Sequence, residues 1–183
     1  KLCRIMVNTA IILAGGLGSR LKKVNPILPK PLAPISGRPF LEFLLDYWID
    51  QGITRFILSI GYQGQMIIDH LGSKYQSAFI EYVKEESPLG TGGGLLISIK
   101  KINEPYIVLN GDTFFEVDLK GLFNFHEKNN SDWTISLFKT NNVKRYTPLS
   151  VSPNGRITNI KANENISGCL ANGGTYLINP SVL

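Results

Sequence analysis

A glycine turn, a guanidinium and an ammonium stand close together near the start of this sequence, and that set could hold a polyphosphate. The turn is Leu13-Ala14-Gly15-Gly16-Leu17-Gly18-Ser19-Arg20-Leu21, entered from an apolar run, Thr9-Ala10-Ile11-Ile12-Leu13. Glycines let a backbone approach phosphate oxygens with no Cβ in the way, and successive N–H groups in such a turn form an anion nest. Arg20 adds a rigid fork of donors, and Lys30, held in Pro29-Lys30-Pro31-Leu32, adds a mobile point charge. This reads as a nucleoside triphosphate site.

Two commoner glycine loops do not fit. A dinucleotide fingerprint needs G-x-G-x-x-G and an acidic residue about 20 positions on. Gly16-Leu17-Gly18-Ser19-Arg20-Leu21 lacks the third glycine and puts Arg20 where a helix should pack on the sheet. The phosphate-binding P-loop needs Lys-Ser or Lys-Thr after its last glycine, and neither follows here. For such a loop standing alone, a bare turn with no ligand stays open.

A carboxylate stands at a second strand end, in Val108-Leu109-Asn110-Gly111-Asp112. Open α/β sheets bind ligands at the carboxyl ends of their strands, so Asp112 beside Gly111 lies where a ligand is expected. Glu116 and Asp118 fall past that end, and Asp118 suits the cap of the next helix.

These segments do not stand alone. LAGGLGSRL, PKPLAPISGRPFLEFLLDYW, Ser87-Pro88-Leu89-Gly90-Thr91-Gly92-Gly93-Gly94, Leu109-Asn110-Gly111-Asp112 and Asn172-Gly173-Gly174-Thr175-Tyr176 follow one another along the chain. In this order they resemble the signature of the sugar-1-phosphate nucleotidylyltransferases, roughly LAGGxGTRL followed by PKP(L/M). Ser19 replaces the usual Thr and keeps the hydroxyl. The resemblance runs from Asn8 to Asn179. The wording around PLGTGG and LNGDTFFEVDL looks most like the guanylyl- and heptose-type members of bacterial surface-sugar pathways.

The resemblance implies a Rossmann-like three-layer αβα fold of the nucleotide-diphospho-sugar transferase kind, with a mostly parallel mixed sheet. It implies that a sugar 1-phosphate oxygen attacks the α-phosphorus of an NTP and expels pyrophosphate, with Mg²⁺ as cofactor. Because the nucleophile is already ionised, positioning and charge stabilisation are the catalytic tasks. Carried over by position, Arg20 grips the β- and γ-phosphates, Lys30 bridges the two reacting phosphates, and Asp112 holds the metal. Leu13, Ala14, Gly15, Gly16, Gly18 and Ser19 line the nucleotide with Glu85, Pro88, Gly90, Thr91 and Gly92.

Glu85 falls at the family's base-reading position. A carboxylate is acceptor-only, and guanine offers N1–H and N2–H₂ side by side, whereas uracil and thymine flank one N–H with carbonyls. That favours GTP, with a solvated Glu85-Glu86 pair as the alternative. Asn110, Gly111, Asn172 and Gly173 fall at sugar positions. The family's usual Glu-Lys pair is altered here to Ile160-Lys161-Ala162-Asn163-Glu164, so Lys161 and Glu164 fill that role only if the backbone shifts. The expected reaction makes an NDP-sugar from GTP and a manno-heptose or mannose 1-phosphate. Another NTP or hexose, and a non-catalytic regulatory subunit of the same fold, remain alternatives.

Composition agrees with a globular protein. The chain has 183 residues, 43% hydrophobic and 18% charged, enough for a substantial core. The net charge of +5 is spread over isolated pairs such as Lys22-Lys23, Lys100-Lys101 and Lys144-Arg145, which read as solvated surface; no nucleic-acid partner is expected. Cys3 and Cys169 show no metal or redox spacing, and suggest reduced thiols. His70 and His126 sit apart on helical stretches, in structural or solvent-facing roles. No run reaches transmembrane length and the first residues lack a signal-peptide pattern, so a soluble cytoplasmic protein is expected, with homo-oligomerisation left open.

The elements that must position these residues alternate between strand and helix. Strands are expected over Thr9–Leu13, Arg55–Ile60, Phe79–Val83, Tyr106–Leu109 and Trp133–Phe138, then shorter ones over Leu149–Ser152, Arg156–Lys161 and Thr175–Ile178. Helices are expected over Pro39–Gln51, with Gly52 as the stop, and over Gln63–Leu71, Gly92–Ile102 and Leu119–Lys128. Val151-Ser152-Pro153-Asn154-Gly155-Arg156 reads as a hairpin turn. The pattern predicts one domain over 8–183, with a nucleotide-binding half at about 8–132, a sugar-binding half at about 133–183 and a prefix at 1–7. By comparison with the family, a final helix and a second acidic metal ligand are expected to be lacking after the last strand.

Overall fold

A computed structural model describes residues 7–16, 28–61, 63–84, 90–99, 102–142, 144–160 and 168–182. In chain order the strands and helices are β1 (Thr9–Ala14), β2 (Pro34–Ile35), β3 (Arg38–Pro39), α1 (Phe40–Ile49), β4 (Arg55–Ile60), α2 (Gly64–Leu71), β5 (Lys74–Tyr75) and β6 (Ala78–Lys84). They continue with α3 (Gly90–Ser98), β7 (Tyr106–Asn110), α4 (Leu119–Lys128), β8 (Trp133–Thr140), β9 (Leu149–Val151), β10 (Ile157–Ile160) and β11 (Cys169–Ile178).

Among the described residues nine strands form one sheet, in the order β10-β9-β11-β7-β1-β4-β6-β5, with β8 pairing β11 from its other side. The strands β7-β1-β4-β6 at its centre run parallel. The flanking pairs, β5 with β6 and β11 with β7, β8 and β9, run antiparallel. The sheet is therefore mixed, as expected, and its parallel strands all fall within residues 9–110.

The apolar, non-alternating strands are buried on both faces, which is what parallel sheets require. Ala10, Ile12 and Ala14 of β1 pack with Leu41, Leu45 and Trp48 of α1 and Ile67 and Leu71 of α2. Ile11, one position out of phase, faces the opposite layer with Leu95 of α3, Tyr106, Val108 and Ile178. Strand alternation thus divides one sheet between two helical layers.

Three of the boundary differences have a clear local cause. Helix α1 begins at Phe40, because Pro39 keeps extended backbone and pairs with Pro34. Helix α3 begins at Gly90 and ends at Ser98, and its opening glycines hide any helical periodicity. Strand β11 starts at Cys169, well before the expected Thr175. Asn172-Gly173-Gly174 punctuates it as a bulge, where pairing with β8 shifts register and Gly174 takes φ +81°. Such bulges tolerate glycine at positive φ inside a continuous strand.

The expected turn joins β9 and β10, with Gly155 at φ +83° and its N–H on the Ser152 carbonyl. Asp118 caps α4 as expected, accepting from the Lys120 and Gly121 N–H groups. Both histidines are bonded. His126 is 1% exposed with Nδ1 2.8 Å from Thr134 Oγ1, and His70 Nε2 lies 2.7 Å from Glu42 Oε1. Cys169 is a buried free thiol; Cys3 lies outside the described residues. Among the described residues no helix is long and apolar enough to cross a membrane.

Candidate active site

Parallel strands end at a common edge, and the chemistry-bearing segments meet there. Strand β1 delivers Leu13, Ala14, Gly15 and Gly16, β4 delivers Gly61, and β7 delivers Asn110, Gly111 and Asp112. The Gly111 N–H donates to the Leu13 carbonyl at 3.0 Å. A Cβ on Gly111 would stand 2.7 Å from that carbonyl oxygen, a backbone atom that cannot swing away. Glycine is therefore what lets β7 finish against β1. Among the described residues nothing lies within 4 Å of a notional Cβ on Gly16.

Lys30 and Asp112 come together. Lys30 Nζ lies 2.9 Å from Asp112 Oδ2, with side chains 26% and 49% exposed. Lys30 sits on a 3₁₀ turn over Lys30–Leu32, whose Pro31 and Leu32 are buried. Asp112 lies on the loop after β7, which is held from two sides. Phe114 packs edge-on against Tyr47 of α1 at 5.3 Å, and Phe115 meets Phe138 of β8 at 5.8 Å. Tyr47 Oη also donates to the Val117 carbonyl, and the Leu119 N–H donates to Gln51 Oε1. A fixed loop thus presents a half-exposed carboxylate beside an ammonium.

The β11 bulge forms the neighbouring wall. A Cβ on Gly173 would stand 2.5 Å from the Phe115 ring, and one on Gly174 2.6 Å from Asn110 Nδ2. Asn172 shapes the bulge with its own amide: Oδ1 accepts from the Gly174 N–H and Nδ2 donates to Tyr176 Oη, both at 2.8 Å. Asn110, Gly111, Asn172 and Gly173, named as sugar-side residues, thus lie on two adjacent antiparallel strands, β7 and β11, and the turn that follows β7.

Helix α3, the next described element after β6, opens with Gly90, Thr91 and Gly92. Helix N-termini of this kind favour anions. Gly18, Ser19, Arg20, Glu85, Pro88, Lys161 and Glu164 lie outside the described residues.

A charged network lies behind Lys30. Arg38 of β3 donates to Glu42 at 2.6 Å, to Asp46 at 2.5 Å and to Tyr75 Oη at 2.7 Å, and stacks over Phe43. Hydrogen bonds donated to Glu42 and Asp46 raise the Arg38 pKa further above its ordinary value. Burial pushes the Glu42 carboxyl up, but the bonds from Arg38 and His70 outweigh it and leave the carboxyl below its ordinary value.

Sequence reasoning missed Gly61, Phe114, Phe115 and Arg38. A Cβ on Gly61 would stand 2.7 Å from the Gly15 carbonyl oxygen. The only signal for it was a glycine just past an apolar run, which many turns share.

Residues 9–183 match the family model described as Nucleotidyl transferase. The chain is 40% identical over 174 residues to the D-glycero-alpha-D-manno-heptose 1-phosphate guanylyltransferase of Aneurinibacillus thermoaerophilus, covering 94% of this chain and 75% of that protein. It is 37% identical to the enzyme of the same name from Campylobacter jejuni, over 94% of this chain and 76% of the relative. Among solved structures, HddC from Yersinia pseudotuberculosis complexed with GMP-PN aligns with TM-score 0.80 at 36% identity, covering 95% of this chain and 77% of that one.

Proposed function

The chain belongs to the nucleotidyl transferase family, and from that premise we propose that it transfers a guanylyl group from GTP to a manno-configured heptose or mannose 1-phosphate. The observation that carries this reading is the Lys30–Asp112 pair at the carboxyl edge of the parallel strands, where β1 runs out into Gly15 and Gly16. A cation and a carboxylate on converging rigid elements, next to glycine backbone, suit phosphoryl chemistry that needs positioning more than proton transfer.

In the reaction, an oxygen of the sugar 1-phosphate forms a bond to the α-phosphorus of GTP. The bond from that phosphorus to the bridging oxygen breaks, and pyrophosphate leaves with the electron pair. The products are a GDP-sugar and pyrophosphate, and no proton has to be abstracted. Lys30 lies between the two anions and offsets their repulsion, while the glycine turn and Arg20 hold the triphosphate. Asn110, Gly111, Asn172 and Gly173 face the sugar, and Lys161 and Glu164 take the place of the family's usual Glu-Lys pair only if the backbone shifts.

Asp112 fits a Mg²⁺ site. Its carboxylate is half-exposed and sits on a braced loop, and magnesium takes one or two carboxylates together with substrate phosphates. Among the described residues no group of three or more His, Cys, Asp and Glu could hold a metal alone, so phosphate oxygens would complete the shell. Bound there, the ion would neutralise charge on the phosphate oxygens. Specificity for guanine rests on Glu85 accepting from N1–H and N2–H₂, supported by Pro88, Gly90, Thr91 and Gly92. A reaction fed by GTP and a sugar phosphate belongs in the cytoplasm.

The test is pyrophosphate release with Mg²⁺, running GTP, CTP, UTP, ATP and dTTP against manno-heptose and mannose 1-phosphates. Release with GTP and a manno-sugar alone is expected. Release with another base would keep the reaction and overturn the role of Glu85. No release with any pair would overturn the catalytic reading in favour of a binding subunit.

A further inference from the structure

Lys30 lies on a short segment anchored at its turn by buried Pro31 and Leu32, while the ribbon that follows has little structure of its own. Its 3₁₀ turn has no side-chain cap, and the ribbon that follows pairs only Pro34 with Pro39 and Ile35 with Arg38. Two-stranded ribbons are marginal without outside support. The turn between them places Ser36 at φ 51° and Gly37 at φ +85°, and both strands lie partly or wholly exposed. Something must fix this ribbon for Lys30 to meet Asp112 reproducibly.

We propose that Arg38 is the positioning residue for Lys30, clamping the β2–β3 ribbon to α1 and β5 so that the ammonium is held at the reacting phosphates. The connection is continuous in hydrogen bonds. The Ala33 N–H donates to the Lys30 carbonyl, and the Phe40 N–H donates to the Ala33 carbonyl, so the base of the ribbon is joined to the turn that carries Lys30. Within the ribbon, Arg38 reaches outward from β3. Its Nε binds Glu42 Oε2, while Nη2 binds both Asp46 Oδ2 and Tyr75 Oη.

The acceptors are themselves fixed. Glu42 also receives His70 Nε2 from α2, and Asp46 Oδ1 also receives Tyr75 Oη and Gln76 Nε2 from the β5 segment. A single guanidinium thus ties the ribbon to a helix and to the far edge of the sheet. The geometry asks for arginine. A lysine ammonium in its place is a compact charge that cannot present the same planar fork to two carboxylates.

This role deepens the proposed transferase reading, but its first readout does not depend on turnover. In the intact chain, Lys30 is labelled with an amine-reactive anhydride and its modification rate is read by peptide mass spectrometry, with the exposed Lys128 and Lys139 as internal controls. Arg38→Met is expected to raise labelling of Lys30 about fivefold, as for the loss of an exposed ion pair, with little change at the controls. Arg38→Lys is expected to restore part of the protection.

If Arg38→Met does not fold, Asp46→Asn removes one charged acceptor and is expected to shift Lys30 in the same direction by a smaller factor. Unchanged Lys30 labelling in a folded variant would overturn the proposal, as would an equal rise at every lysine. The second readout is kinetic. Loss of positioning is expected to lower kcat about tenfold or more with KM for the nucleotide nearly unchanged. An effect confined to KM would overturn it. If the unaltered protein releases no pyrophosphate, the transferase reading fails, while the labelling result still decides the clamp.

Discussion

The ion pair between Lys30 and Asp112 is poor as a source of stability, and the proposed transferase reading gives it a reactive role instead. Both side chains are partly exposed, and such pairs contribute only about 0–1 kcal/mol. Lys30→Ala and Asp112→Asn are therefore expected to leave the unfolding midpoint nearly unchanged. Each should lower kcat by roughly 10²–10³-fold, the usual cost of removing one preorganised charge-stabilising group. Urea melts and steady-state pyrophosphate release check the two halves separately, and near-normal turnover in either variant would remove that residue from the machinery. Gly111→Ala should behave differently. Its methyl would meet the Leu13 carbonyl oxygen at 2.7 Å, so stability and activity are expected to fall together, read by the same two measurements. At this scale the sequence was readable where chemistry leaves a local mark, as with a lysine between prolines or an aspartate after an apolar run and a glycine. Gly61 and Arg38 carry no such mark. Their roles exist only because β4 ends beside Gly15 and because α1 and β5 face the ribbon, and those are long-range facts.

Elements with a clean period or a clear cap were legible, and those built on glycine were not. Strand β4 and helix α4 occupy their expected ranges, Arg55–Ile60 and Leu119–Lys128. Asp118 announced α4, since its carboxylate accepts from two of the orphan N–H groups of the first turn. Asp118→Ala is expected to cost about 1 kcal/mol of stability, measured by chemical denaturation, while Asp118→Asn retains most of it. Because α4 begins where the loop bearing Asp112 ends, the alanine variant should also loosen that loop and lower kcat modestly. Strand β11 was read too short because Asn172-Gly173-Gly174 looks like punctuation, although its backbone continues through a bulge shaped by the Asn172 amide. The same three residues place Phe115 and Asn110 against the strand, so the feature that hid the element also forms a wall of the candidate site. Ribbon β2–β3 belongs to this scale too. Glu42, in the clamp that holds it, has a depressed pKa, so its contribution is present above the ordinary glutamate value of 4.5 and is lost as pH falls through the lower folded value. Glu42→Gln should flatten the acid limb of the stability curve, followed by thermal melts from neutral pH downward. An unchanged acid limb would show that the clamp carries no linked stability.

Across the whole molecule, the division of labour follows from how the sheet is built. Parallel strands β7, β1 and β4 must end at one edge, so three segments distant in sequence converge without any of them being long. Strand β11 enters antiparallel beside β7 and brings the second half of the chain against the same edge. On the proposed reading, one continuous sheet sets a glycine turn for one anion next to a bulged wall for another, and strand spacing would fix their separation. A sheet of this kind is expected to bind nucleotide before it turns over, and binding to the folded state alone raises stability by mass action. At a concentration 100 times its dissociation constant, a ligand adds about 2.7 kcal/mol, which for a chain of this size corresponds to roughly 5–10 °C in Tm. GTP with Mg²⁺ is expected to give such a shift, and UTP at the same concentration to give little. The Glu85→Gln variant should narrow the gap, since an amide can donate as well as accept and no longer rejects the carbonyls of uracil. Equal shifts from GTP and UTP in the unaltered protein would mean that the edge recognises triphosphate alone, and that base selection is imposed later, when the sugar phosphate closes against β11.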